Sequence, residues 1–209
     1  MSAREVVLGR IRDALALAPL PAVTVERAYR RGRILPDQER LELFTDRLLD
    51  YKAQVRTCTA SKTAATLAEV LADLGARRIG VPAALDRSWL TSWGGTVEED
   101  CADVSATHLE ALDAVVTASA VSCAETGTIF LDGSPDQGRR ALSLIPDVHV
   151  CVVDLSSVAP GIPEALALLG PERPTTLISG PSATSDVELE RVEGVHGPRT
   201  LVVVVRTDV

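Results

Sequence analysis

Two short stretches of this chain gather acids, hydroxyls and glycines closely enough to do chemistry. The first is Ala124-Glu125-Thr126-Gly127-Thr128. An acid flanked by threonines and a glycine, at a break between two apolar runs, can hold a carboxylate at the end of a sheet. The Thr126 and Thr128 hydroxyls and the Gly127 N–H can then bind an anion or orient a substrate. Glu125 in that position can act as nucleophile or general base. The same residues also suit a plain bend, with Gly127 supplying the backbone geometry and Glu125 accepting backbone N–H groups. The second stretch is Gly180-Pro181-Ser182-Ala183-Thr184-Ser185-Asp186-Val187-Glu188, followed by Gly194-Val195-His196-Gly197-Pro198. Ser182, Thr184 and Ser185 offer hydroxyls, and Ser185 with Glu188 has the spacing of a capping box. A helix start there favours a phosphate-like or carboxylate anion. Asp186, Glu188, Glu190 and Glu193 would repel one, so the charge of the ligand stays open. His196, between glycines, suits an acid–base group or a turn residue. Neither stretch follows a dinucleotide, P-loop or serine-hydrolase fingerprint.

The elements that must position these stretches alternate between strand and helix. A helical stripe over residues 2–18 ends at Pro19 and leads into a basic arm, Arg27-Ala28-Tyr29-Arg30-Arg31-Gly32-Arg33. We therefore divide the chain into an N-terminal helix and arm, 1–35, and an α/β domain, 36–209. A second helix follows Pro36 to about Ala53. A strand is predicted over 54–58, then a helix over 62–74 capped by Ser61 and stopped by Gly75. Further strands are predicted at 78–81, near 96–98, 114–120 and 148–154, with helices over 137–144 and 163–169. Residues 121–132 read as one antiparallel insertion with a turn at Glu125–Gly127. Pro174–Ser179 and Thr200–Val205 flank the second stretch and read as buried strands. This alternation predicts a mostly parallel sheet covered on both faces.

Composition narrows the function. Hydrophobic residues make up 46% of the chain and aromatics only 3%, which predicts an aliphatic core. A net charge of −8 argues against nucleic acid as a partner. No apolar run reaches the length of a membrane span, and the N-terminal helix does not have the build of a signal peptide, so the expected location is the cytoplasm. Cys58, Cys101, Cys123 and Cys151 form no Cys-x-x-Cys pair, and His108, His149 and His196 are scattered. No metal site or cluster is expected within the chain, and the cysteines read as small buried residues.

With both stretches in view, the chain resembles the LutC/YkgG group of lactate-utilization proteins, the LUD domain. The matching residues are Ala124 to Ile129, Gly180 to Glu188 and Gly194 to Pro198, in an order of elements that fits nearly the whole chain. The resemblance implies a three-layer α/β/α sandwich like that of glucosamine-6-phosphate deaminase, ribose-5-phosphate isomerase and CoA transferases (the NagB/RpiA/CoA transferase-like fold). It also implies a subunit of a three-protein system that oxidises L-lactate to pyruvate. The iron–sulfur clusters would lie in the two partner proteins and no cofactor in this chain. On this reading the 124–128 and 180–198 loops meet at one end of the sheet and take a small organic acid or phosphate-like anion. Thr126, Gly127, Thr128, Gly180, Pro181, Ser182, Thr184, Ser185, Asp186, Glu188 and Gly197 would bind it, with Glu125 and His196 as catalytic candidates. The alternative is a stand-alone transferase or isomerase using Glu125 on a phosphorylated or CoA-linked acid. That analogy rests on CoA transferases with a glutamate nucleophile, and fold alone does not fix function.

Overall fold

A computed structural model describes residues 2–17, 24–28, 34–184, 192–193 and 197–209. They fall into two units, Met1–Arg30 and Arg31–Val209. In the first, helix α1 (Ala3–Leu17) opens with a capping box: Ser2 N–H donates to Glu5 Oε2 (2.7 Å) and Glu5 N–H donates to Ser2 Oγ (3.2 Å). None of its residues is buried. Tyr29 to Arg33 of the basic arm lie outside the described residues.

The second unit runs α2 (Asp37–Asp50), β1 (Gln54–Cys58), α3 (Thr63–Asp73), β2 (Arg78–Val81), β3 (Thr96–Glu99), α4 (Ala106–Glu110), β4 (Ala114–Thr117), β5 (Val121–Cys123) and β6 (Thr128–Leu131). It continues with α5 (Arg140–Leu144), β7 (Val148–Asp154), β8 (Val158–Ala159), α6 (Ile162–Ala167), β9 (Thr176–Ile178), β10 (Ala183–Thr184), β11 (Val192–Glu193) and β12 (Thr200–Arg206). Six strands form one parallel sheet in the order β1-β12-β7-β4-β2-β3. Its longest strands, β7 and β12, pair in register from Val148↔Thr200 to Asp154↔Arg206. Both are near-continuous valine runs because helices cover both faces. On one face Leu67, Val70 and Leu71 of α3 pack on Val150, Val152, Val202 and Val204. On the other, Phe44 and Leu48 of α2 meet Cys151, Val153, Leu201, Val203 and Val205. Phe44 and Leu48 are fully buried, and each such side chain stabilises the fold by roughly 1.5–3 kcal/mol.

The face that carries α2 also carries a second sheet, of order β8-β5-β6-β9. The β5–β6 hairpin is antiparallel, β9 adds antiparallel to β6, and β8 adds parallel to β5. The single antiparallel insertion expected from the sequence is therefore half of a four-stranded sheet. Its outer strands are two and three residues long, too short for a readable alternation. The expectation of two buried flanks is also corrected. β12 is buried, but β9 is an outer strand of the smaller sheet and Leu177 is 59% exposed.

Three local readings change as well. Ser61 does not cap α3: residues Ala60–Lys62 form a 3-10 turn, and the Ser61 hydroxyl pairs with Thr59 Oγ1 at 3.1 Å. Helix α5 starts at Arg140 rather than 137, because Gln137 is spent inside the preceding loop, its Oε1 accepting Asp132 N–H at 2.7 Å. Cys101 is exposed, while Cys58, Cys123 and Cys151 are buried as expected.

Candidate functional site

The antiparallel register of β6 and β9 sets Ile129 opposite Ile178, which brings the next pair, Thr128 and Ser179, together. Thr128 Oγ1 lies 2.8 Å from Ser179 Oγ, and Thr126 Oγ1 lies 2.8 Å from Thr128 Oγ1. A chain of three hydroxyls thus links the two motif stretches, 51 residues apart at its crossing point.

The glycines of both motifs answer to one helix. Gly127 (φ 60°) and Gly180 (φ 83°) have left-handed backbones that disfavour a side chain. A Cβ on Gly127 would stand 2.8 Å from Arg47 Cβ, and one on Gly180 would stand 2.5 Å from the Tyr51 carbonyl oxygen. Arg47 lies in the last turn of α2 and Tyr51 follows it, so both loops press on the same helix end. Ser182 N–H donates to Pro198 O at 2.8 Å, and Gly197 packs against Ser182, which joins the two halves of the second motif.

Beneath this junction, at the amino ends of β7 and β12, is a cavity of about 220 Å³. His149 and Leu201 contribute from the sheet, Ser143 and Leu144 from the end of α5, and residues 177–182 with Gly197 and Pro198 from the motif loops. Its size falls below the ~300–1,000 Å³ typical of drug-sized ligands, so it suits a smaller molecule.

His149 is the one strongly perturbed group in the lining. It is fully buried, and desolvation lowers its pKa to about 4, so the ring is neutral. Its Nε2 lies 2.8 Å from Thr117 Oγ1. The Thr117 hydroxyl donates to Cys151 Sγ and the Cys151 thiol to Ala118 O, each at 3.8 Å. Burial pushes the Cys151 thiol up to about 12, so it stays protonated and able to donate. Among the described residues, His149 Nδ1 has no hydrogen-bond partner. In the sequence His149 belongs to no motif and is one of three scattered histidines. The available signal was a histidine on a core-facing position inside a valine run, where an unpaired polar atom is costly.

The remaining candidates divide. Gly180, Pro181, Ser182 and Gly197 line the cavity. Thr126 and Thr128 connect to it through the Thr128–Ser179 contact, and Gly127 is not among its described lining residues. Glu125 is exposed at the β5–β6 turn, donates its N–H to Pro160 O (3.2 Å), and does not line the cavity. Its carboxylate and that of Glu164 both crowd Gly161, where a Cβ would lie 3.4 and 2.9 Å from their Oε2 atoms. Thr184 lies in the β10–β11 pair. Ser185, Asp186, Glu188 and His196 lie outside the described residues. Among the described residues no group of three or more His, Cys, Asp or Glu is arranged to hold a metal ion.

The opposite end of the sheet offers less. Parallel α/β sheets bind ligands in the crevice beyond the strand carboxyl ends where the strand order reverses, here between β2 and β4. The 132–138 loop occupies that crevice, fastened by Ala84 N–H to Pro135 O and Ala118 N–H to Asp136 O, both 3.1 Å. Beside it Arg139 grips both Asp100 oxygens, and Arg173 pairs with Ser134 Oγ at 2.7 Å and Asp132 at 3.5 Å. These cations are already neutralised by neighbouring carboxylates.

The pattern of the LUD domain matches residues 41–205, which takes in the sheet, both motifs and the cavity. This chain belongs to the LUD domain family. Lactate utilization protein C of Deinococcus radiodurans is 44% identical over 203 residues, covering 95% of this chain and 89% of that protein. An uncharacterized protein of Neisseria meningitidis is 29% identical over 97% of this chain and 93% of its own length. Lactate utilization protein C of Bacillus subtilis is 33% identical over 57% of this chain and 53% of its own. A solved structure of a DUF162 family protein from Deinococcus radiodurans superposes with a TM-score of 0.70 at 39% identity, over 83% of this chain and 99% of that one. Helix α1 lies outside the matched LUD domain. Among the described residues of this LUD-domain protein, no helix is long and apolar enough to cross a membrane.

Proposed function

We propose that this LUD-domain protein is a lactate utilization protein C-like component of a cytoplasmic system that oxidises L-lactate to pyruvate. The observation that carries this reading is the 44% identity to lactate utilization protein C over 95% of the chain. Oxidising a 2-hydroxy acid to a 2-oxo acid removes two protons and two electrons. The electrons need a redox acceptor, which on this reading resides in iron–sulfur partner proteins. The contribution of this chain is then binding and positioning, through the α/β domain of residues 36–209. The N-terminal helix and basic arm, residues 1–35, form a separate extension.

The test is a tagged pull-down from native cells grown on L-lactate, with iron content and lactate-dependent dye reduction assayed on the eluate. Iron-containing partners, and activity absent from the isolated chain, are the expected result. An iron-free chain without partners, together with unimpaired growth on L-lactate after deletion of its gene, would remove the reading. The stand-alone transferase or isomerase acting through Glu125 has weaker support, because Glu125 does not line the cavity.

A further inference from the structure

Beyond the carboxyl ends of β2 and β3 lies a larger cavity, of about 800 Å³. That volume falls within the ~300–1,000 Å³ of drug-sized ligands. Its lining holds three guanidinium groups, Arg139, Arg140 and Arg173, against two carboxylates, Asp100 and Asp132. One positive charge is left over, in a chain whose net charge is −8. Bonds to other lining groups fix two of the three guanidinium groups at the wall. Arg139 spends Nε and Nη2 on Asp100, whose side chain is 4% exposed, and Nη2 also donates to Val104 O at 2.7 Å. Arg173 spends Nη1 on Ser134 Oγ at 2.7 Å and stands 3.5 Å from Asp132 Oδ2, at the limit of a hydrogen bond. Asp132 Oδ1 already accepts the N–H and the hydroxyl of Ser134, at 3.0 and 2.6 Å.

Pairing cancels the charge of these arginines but does not use up their donors. Among the described residues, Nη1 of Arg139 and Nε and Nη2 of Arg173 have no hydrogen-bond partner. The two side chains are 34% and 54% exposed, so these groups are open to a ligand. Arg140 is exposed, and its side chain makes no hydrogen bond or ion pair among the described residues. Free guanidinium donors beside an uncompensated charge select an oxyanion, because their paired N–H groups match a carboxylate or a phosphate. Pro82, Ala83, Pro135, Ala141 and Pro174 make the rest of the wall small and apolar. We propose that this cavity binds an organic oxyanion, a phosphate ester or carboxylate on an uncharged body, with the oxyanion held by Arg173 and Arg140. It is a different site from the cavity at the amino ends of β7 and β12, and it does not depend on the lactate reading.

Cys101 is exposed and lies in the same lining, so its thiol reports occupancy. The full chain is treated with a neutral dipyridyl disulfide in the presence of 1-naphthyl phosphate, 1-naphthoate, neutral 1-naphthamide or inorganic phosphate. Each probe is also titrated by calorimetry. The expected result is saturable binding and slower Cys101 modification with a naphthyl anion, and neither effect with the amide. Tighter binding of the phosphate assigns a phosphate ester as the ligand class, and tighter binding of the naphthoate assigns a carboxylic acid. Inorganic phosphate should bind about tenfold more weakly or worse, because it forgoes the apolar contact. Arg173→Gln should weaken the bound anion about tenfold, the effect of losing a charge-assisted hydrogen bond. Arg56→Gln, on the opposite edge strand β1, should not. The comparison of probes on the native chain needs no variant to fold. Equal binding of the amide, inorganic phosphate as tight as the naphthyl ester, an equal loss in Arg56→Gln, or no binding of either naphthyl anion would overturn the site.

Discussion

Thr128 and Ser179 share a hydrogen bond of 2.8 Å across the β6–β9 edge, and through it the two motif stretches become one structural unit. Thr128 also receives or donates the bond to Thr126, so its hydroxyl is the middle of the chain. Replacing it strands two partners, whereas replacing Ser179 strands one. Thr128→Val is expected to cost about 1–2 kcal/mol in denaturant unfolding and Ser179→Ala about 1 kcal/mol. The double variant should be less destabilised than the sum, with a coupling of about 0.5–1 kcal/mol. Strict additivity would mean the two hydroxyls do not interact.

Gly127 and Gly180 dock their loops on the end of α2 with no room for a methyl group. Gly180→Ala meets the Tyr51 carbonyl oxygen, a backbone atom that cannot swing aside, and also carries a left-handed φ. It is expected to lose about 3 kcal/mol or more by thermal or urea unfolding, and Gly127→Ala about 2–3 kcal/mol. Losses near 1 kcal/mol, the cost of the backbone conformation alone, would show that α2 yields to the added methyl group.

His149 ties stability to pH. The unfolded imidazole takes its proton near 6.5 and the buried one only at about 4. Between those values the unfolded state binds more protons, so stability rises with pH across the window and levels off above it. The full rise is roughly 3 kcal/mol. Urea unfolding between pH 5 and 7, compared with His149→Phe to subtract the carboxylates, should show the slope in the native protein and its absence in the variant.

The cysteines differ in access. Cys101 is exposed and should react with an aromatic disulfide reagent within the mixing time, whereas Cys58, Cys123 and Cys151 are buried. Cys151 adds a second barrier, since burial pushes its thiol up to about 12 and keeps the reactive thiolate scarce. One fast thiol in the native protein and four after denaturation is the expected count. Cys101→Ser should abolish the fast phase and leave unfolding stability within about 0.5 kcal/mol.

Much of this protein was legible in the chain because it rests on local pattern. The valine runs at 148–154 and 200–206, the α3 stripe closed before Gly75, and the turn at Glu125–Gly127 are each settled by neighbours a few residues away. The two motifs announced themselves in the same way, by unusual residue types at short spacing, and on them rested the resemblance to the LUD domain. The tertiary structure decided what sequence separation conceals. β5, β8 and β9 are two or three residues long, and only their pairing makes them a sheet. Gly127 and Gly180 read as loop glycines, yet their need is set by α2, more than 75 residues upstream of the first of them. His149 is one polar residue among valines, and its meaning depends on Thr117 and Ala118, which reach it and its strand neighbour Cys151 only once β4 and β7 lie side by side. Local patterns fix elements because hydrogen bonding and burial within an element act over a turn or a strand pair. A cavity and the direction of a buried hydrogen-bond chain exist only where several elements converge, and that convergence is a property of packing.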